Sequence, residues 1–266
     1  MAKEKLNIFD LTDKVAIVTG GYGHLGSAMV RILSAFNAKV VVAGRSETKF
    51  IDAFTDEERK NITFCKIDIT GSESINRCIE VINNDFGRID ILVNNAHTVR
   101  GGSQENMADE DWAYTMEGIV GSVHKTIRAI IPVMKKQGSG KIINITSMYG
   151  MVSPDFSMYK GENCEAYTNP PHYGAAKAAM MQLTKYYAVL LGEHNIQVNA
   201  VSPGPFPKLN IQQENPAFIE RLKKKNPLGK IGKPEDLSGV IALLGSGASD
   251  FITGQTIQVD GGWTIW

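Results

Sequence analysis

The chain has no surplus of either charge: 28 basic and 28 acidic residues cancel. A nucleic-acid binder, or a protein that rides an anionic membrane, needs a basic excess, so neither class fits. No apolar run approaches the length needed to span a bilayer, and the opening Met1-Ala-Lys-Glu-Lys5 carries charge without a following apolar stretch. Cysteine is scarce. The three present, Cys65, Cys78 and Cys164, have no metal-ligand spacing and are an odd number for a disulfide framework. No metal site is therefore expected, and a reducing, cytoplasmic location is. Repeats, low-complexity tracts and linkers are also missing, and the densest basic run, Lys223-Lys224-Lys225, reads as a solvated helix face.

What the chain does have is a 43% share of hydrophobic residues, ample for a large core. They fall into β-branched runs alternating with amphipathic stretches, the pattern of βαβ units and a parallel sheet. The strands are read at Val15–Thr19, Lys39–Ala43, Ile62–Ile67, Ile89–Val93, Lys141–Ile145, Ile196–Val201 and Thr256–Val259. Helices are read over about Leu25–Phe36, Ser72–Phe86, Asp109–Lys136 and His172–Gly192. Continuous apolar strands are buried on both faces. The expected fold is thus α/β, a Rossmann-type doubly wound parallel sheet of about seven strands, as one domain over 1–266. Its ligands should sit at the carboxyl ends of the strands.

Thr19-Gly20-Gly21-Tyr22-Gly23-His24-Leu25-Gly26 lies between the first strand and its helix. Glycines there let the backbone turn sharply and approach a pyrophosphate, which then sits on helix N-terminal amides. A tight glycine turn without a ligand is the bland reading; the strand before and helix after favour dinucleotide binding. At the end of the second strand stand Gly44-Arg45-Ser46, with no acid at the tip. A carboxylate at this point suits the ribose 2′-hydroxyl of NAD, whereas Arg45 can hold a 2′-phosphate bidentately and Ser46 can add a hydroxyl. NADP(H) is favoured on this ground, with NAD(H) the alternative.

Tyr173 and Lys177, in His172-Tyr-Gly-Ala-Ala-Lys177, fall one turn apart on one helix face. A free phenol titrates near ~10, and an adjacent cation lowers it toward what a general acid/base needs. On an arbitrary helix the same spacing is usually a surface tyrosine beside a solvated lysine.

Taken together these motifs resemble the short-chain dehydrogenase/reductase superfamily, in its single-domain branch, over nearly the whole chain. Asn94-Asn95-Ala96 matches the family's Asn-Asn-Ala-Gly signature, with His97 replacing the glycine. Asp68, followed by Ile69, sits where the family contacts adenine. Ser147 matches the catalytic serine, Pro203-Gly204 follows its strand as expected, and Gly254-Gln255 through Val259-Asp-Gly-Gly262 resembles the C-terminal signature. The tail through Trp263 is similar to that of gluconate-type sugar dehydrogenases. The resemblance implies hydride exchange between nicotinamide C4 and a carbonyl or secondary alcohol carbon of a small molecule, possibly a sugar or sugar acid. It implies Tyr173 as acid/base, Ser147 as partner of the substrate oxygen, Lys177 on the nicotinamide ribose and lowering the tyrosine pKa, and a homo-oligomer, tetramer or dimer. The cofactor would meet Gly20, Tyr22, Gly23, His24, Leu25, Gly26, Arg45, Ser46, Asp68, Ile69, Asn95, Ala96, Pro203 and Gly204.

Three departures qualify this. His24 stands at the middle glycine of the loop, giving a spacing nearer to that of nucleotide-sugar epimerases and dehydratases; its side chain is read as facing solvent. Ile119 occupies the place of the family's relay asparagine, and no asparagine occurs in 111–136; a non-catalytic cofactor sensor is the corresponding alternative. Finally, the polar segment Pro154–Pro170 leads into Tyr173, and its Asp155, Tyr159, Glu162, Asn163 and Tyr167 would suit a polyhydroxylated ligand. Substrate loops are expected over 148–171 and 205–230.

Overall fold

The computed structural model describes residues 7–101, 105–160 and 169–265. Seven strands, β1 (Val15–Thr19), β2 (Lys39–Gly44), β3 (Ile62–Lys66), β4 (Ile91–Asn94), β5 (Gly140–Ile145), β6 (Ile196–Pro203) and β7 (Thr256–Val259), form one parallel sheet. Their order is β3-β2-β1-β4-β5-β6-β7, so the winding reverses between β1 and β4. That reversal opens a crevice at the carboxyl ends of the two strands, the place where such sheets bind ligands.

The helices cover both faces. On one lie α1 (Gly26–Ala35), α2 (Glu47–Ala53) and α9 (Ser238–Gly245), burying Met29, Leu33, Phe50, Ile241 and Leu244 against the sheet. On the other lie α3 (Ser72–Phe86), α5 (Ser122–Gln137) and α6 (Pro171–Gly192), burying Ile75, Ile82, Ile127, Ile130, Met180 and Leu191. Strands squeezed between two apolar layers must be apolar throughout, which is why β1 and β4 are buried at every residue.

Two polar devices fix the central strands. Asp90 enters ahead of β4, accepting from Val15 N (3.0 Å) and from the Arg88 guanidinium (2.7 and 2.8 Å). Inside the sheet, Asn94 Nδ2 donates to Asn144 Oδ1, Asn144 Nδ2 donates to Thr184 Oγ1 (2.9 Å each), and the Thr126 hydroxyl meets Asn94 Oδ1 (2.8 Å). All four residues are buried, and such groups are tolerated there only when partnered.

The helix expected over 109–136 is not uniform. It consists of α4 (Asp109–Met116), a five-residue π turn (Glu117–Gly121) and α5. The cause is a tertiary contact: Thr98 packs directly on Gly118, where any Cβ would collide with its hydroxyl, and Thr98 N donates to Gly118 O (3.3 Å). The segment 205–230 is also not a plain loop, since it holds α7 (Leu209–Glu214) and α8 (Pro216–Lys225). Asn215 caps α8, Pro216 occupies its first turn, and Phe218, Ile219 and Leu222 are buried.

Candidate active site

Thr19, the last residue of β1, organises the glycine loop. Its hydroxyl accepts from Asn95 N and Ala96 N (3.0 Å each), while Asn95 Nδ2 donates back to Thr19 O (3.0 Å) and Gly20 O (3.2 Å). The end of β4 is thereby pinned to the loop, and the Asn95 side chain is spent on that contact. Gly20 turns the chain with φ +63°, and a Cβ at Gly26 would collide with Gly20 O. The cradle therefore exists only with glycine at these points.

A cleft runs from this loop across the strand ends. Gly20, Tyr22, Gly23, His24, Leu25, Arg45, Asp68, Ile69, Asn95, Ala96 and Tyr173 all line it. At one end Tyr22 reaches over the tip of β2, its hydroxyl accepting from Arg45 N (3.0 Å) and Ser46 N (3.3 Å). Ser46 in turn caps α2 by accepting from Lys49 N (3.3 Å), which leaves its own proton to donate. Asp68 accepts from Thr70 N (3.0 Å) and Thr70 Oγ1 (2.8 Å), and these bonds hold its carboxyl below the usual range. Gly26 packs behind the loop, and Gly204 N closes the end of β6 on Val259 O (3.0 Å) after Pro203.

At the other end stand Ser147, after β5, and Tyr173 with Lys177 on α6. Lys177 is buried, its ammonium donating to Ile145 O (2.8 Å) and lying 5.6 Å from the Tyr173 ring centre. Burial pushes its pKa down to about 7. The Tyr173 phenol is moved up by burial, against an opposing hydrogen bond from Ser147. This reverses the expected direction. The lysine is itself desolvated and half neutral at pH 7, so its field does not overcome the loss of water around the phenol.

Several residues differ from their expected places. His24 does not face solvent: it is half-buried, with Nε2 3.2 Å from Phe206 O. Tyr159 is buried, hydrogen-bonded to the Tyr149 hydroxyl and tilted against Phe218 at 5.5 Å, and Asp155 caps the following turn and pairs with Lys225 (3.1 Å). Neither is free for a polyhydroxylated ligand, while Glu162, Asn163 and Tyr167 lie outside the described residues. Trp263 joins the same buried cluster with Met148, Tyr149 and Leu222. At Ile119 there is only buried apolar surface, and its carbonyl accepts from Ser122 Oγ (3.0 Å).

The sequence reading passed over three polar groups at the site. His97 is exposed at the mouth of the cleft and edges against Tyr173 at 6.1 Å between ring centres. Lys208 lines the same cleft. His172 is wholly buried and joins Arg100 O (2.8 Å), tethering the segment after β4 to the start of α6. Among the described residues no group of three or more His, Cys, Asp or Glu side chains could hold a metal, and no helix is long and apolar enough to cross a membrane.

A glycine cradle at the switch point of a parallel sheet, with a Ser–Tyr–Lys corner at its far end whose serine and lysine are buried and whose tyrosine opens on the cleft, defines a dinucleotide-dependent oxidoreductase. A family model described as "Enoyl-(Acyl carrier protein) reductase" matches residues 23–264. The chain belongs to the short-chain dehydrogenase/reductase family, whose members here are dehydrogenases and reductases acting on CH–OH groups. It is 34% identical to a 2-dehydro-3-deoxy-D-gluconate 5-dehydrogenase of Dickeya dadantii, over 97% of this chain and 98% of that one. It is 32% identical to a 3-oxoacyl-(acyl-carrier-protein) reductase of Thermotoga maritima, over 96% and 99%. A gluconate 5-dehydrogenase from Burkholderia cenocepacia, solved in complex with NADP and tartrate, superposes with a TM-score of 0.85 at 28% identity, covering 97% of this chain and 98% of that one.

Proposed function

We propose that this enzyme is NADP(H)-dependent and exchanges hydride between the nicotinamide and a secondary alcohol or ketone carbon of a sugar acid. The observation that carries the reading is the cleft itself. One end holds Tyr173 with Ser147 and Lys177 at hand, and the other holds Arg45, whose guanidinium has no hydrogen-bond or ion-pair partner among the described residues. A free bidentate donor beside the Ser46 hydroxyl fits a 2′-phosphate better than a ribose diol. The names of the gluconate-type relatives support the substrate class.

When bound, the cofactor supplies or takes the hydride at C4. The phenol of Tyr173, neutral at rest, gives its proton to the carbonyl oxygen in reduction and takes it back in oxidation. The Ser147 hydroxyl hydrogen-bonds that same oxygen as charge develops on it. Lys177 donates to the nicotinamide ribose hydroxyls and, with a pKa near the working pH, can return a proton toward Tyr173. Ile119 adds no polar side chain to this set, and the Ile145 carbonyl is what orients the Lys177 ammonium. One NAD(P)-binding domain over 1–266 is proposed, with substrate meeting 148–171 and 205–230. The exposed Tyr186, Val189 and Leu190 on α6 favour a homo-oligomer.

The test is a screen of sugar acids, sugars, polyols and ketones with each nicotinamide cofactor, read by nicotinamide absorbance, with Tyr173→Phe as control. Turnover of a sugar acid with NADP(H) that vanishes in Tyr173→Phe, while NADPH binding persists, is the expected result. Full activity in that variant would remove Tyr173 from the chemistry.

A further inference from the structure

His97 stands beside the reacting phenol but has no part in the chemistry derived so far. It follows Asn95 and Ala96 at the end of β4, lines the same cleft as Tyr173 and is exposed there, its ring 6.1 Å from the Tyr173 ring at an interplanar angle of 61°. The chain under it is fixed on both sides: Ala96 N donates to the Thr19 hydroxyl (3.0 Å) and Thr98 N to Gly118 O (3.3 Å). Its φ is not positive, so nothing in the turn demands the glycine of the family signature. The backbone thus holds this side chain at the cleft on a rigid base, as a specific contact requires.

The chemistry it offers follows from one ring-nitrogen contact. Nδ1 lies 3.5 Å from Asn95 O, and a carbonyl oxygen can only accept, so the neutral ring keeps its proton on Nδ1. Nε2 is left as a lone-pair acceptor with no hydrogen-bond partner among the described residues. Such an atom repels a carboxylate and binds a hydroxyl. Two other polar side chains of the cleft are already engaged, Asn95 by Thr19 O and Gly20 O and His24 by Phe206 O.

We propose that His97 is a specificity-determining residue: its Nε2 accepts a hydrogen bond from a hydroxyl on the carbon next to the reacting one, selecting α-hydroxy ketones and vicinal diols over simple ketones and alcohols. The role rests on the hydride-transfer reading of Tyr173 above. Two rings this close face neighbouring atoms of one small molecule, so an oxygen bonded to the phenol brings the next carbon's hydroxyl to the imidazole. Neither the hydride nor the phenol proton passes through His97, whose share is the choice of substrate.

The experiment measures kcat/KM for reduction of 2-hydroxycyclohexanone and of cyclohexanone with NADPH and with NADH, and the affinity for each cofactor by fluorescence titration. The full chain is compared with His97→Phe, His97→Gly and His97→Gln at about pH 8, above the ordinary imidazole range. Wild type is expected to prefer the hydroxyketone by about tenfold, the worth of one hydrogen bond. His97→Phe, which keeps a ring against Tyr173, should lose that preference, and so should His97→Gly, through a fall concentrated on the hydroxyketone. His97→Gln, whose amide oxygen is again an acceptor, should recover part of it. Equal losses on both ketones would assign His97 to holding Tyr173 and overturn the proposal. Weakened cofactor binding with the preference intact would assign it to the cofactor and do the same. A wild-type chain that is active in the screen above yet does not prefer the hydroxyketone overturns this role alone. One inert throughout that screen and on both ketones removes the oxidoreductase reading, and this role with it.

Discussion

The Tyr22 hydroxyl accepts the backbone N–H of Arg45 across 3.0 Å, so a side chain from the glycine loop sets the height of the β2 tip. The place for a diphosphate and the place for a 2′-phosphate are thus mechanically joined. Arg45→Ala is expected to weaken NADP(H) by about ten- to a hundredfold, the worth of a charge-assisted contact, while NAD(H) affinity stays nearly level. Tyr22→Phe, which keeps the ring and deletes the acceptor, should erode the same preference by a smaller factor. Equilibrium titration with both cofactors reads each directly.

A second expectation concerns Lys177. In the folded chain its amino group titrates at about 7, against about 10.4 unfolded. Between those values the unfolded chain holds a proton that the folded one has released, so stability rises with pH across that window and is flat below it. Lys177→Met should lack this rise and lose turnover. Urea denaturation of both proteins at about pH 6.5 and about pH 9.5 tests the sign; parallel curves would show that the wild-type amine is not depressed.

Asp90 runs the other way. Burial raises its carboxyl, but the Arg88 bond and Val15 N–H outweigh that and leave it below the ordinary range. Its contribution is present above about pH 4 and is lost as pH falls through the depressed value. Asp90→Asn should cost about 2 kcal/mol at neutral pH, and the gap to wild type should close in acid. Thermal melts across pH follow it.

Gly118→Ala should cost about 2 kcal/mol, because the new methyl must displace Thr98 or unwind the π turn. Thr98 lies two residues beyond Ala96, so cofactor affinity should fall with stability. A variant as stable as wild type would mean that the turn does not depend on that contact.

Much of this was legible in the chain and some was not, for physical reasons. β1, α3 and β7 fall at the positions their patterns indicate: burial on both sheet faces leaves β1 an unbroken apolar run, and α3 buries one stripe of Ile75, Cys78, Ile79 and Ile82. The glycine loop was legible because its spacing is forced by backbone collisions. The π turn was hidden, since it comes from Thr98, twenty residues before Gly118. Asp155 and Tyr159 look the same in sequence whether they face a ligand or, as here, Lys225 and Tyr149. The direction of the Tyr173 shift was misjudged because spacing places a lysine near a phenol but says nothing of how much water either has lost.

The buried quartet of Thr126, Asn94, Asn144 and Thr184 has a consequence for how such a chain can drift. Removing one member strands the partner's amide or hydroxyl without water, a loss of about 1–3 kcal/mol, whereas exchanging all members for apolar groups of like shape can be nearly neutral. Each step between those end points is downhill in fitness for the fold, so the four positions are inherited or abandoned as a block.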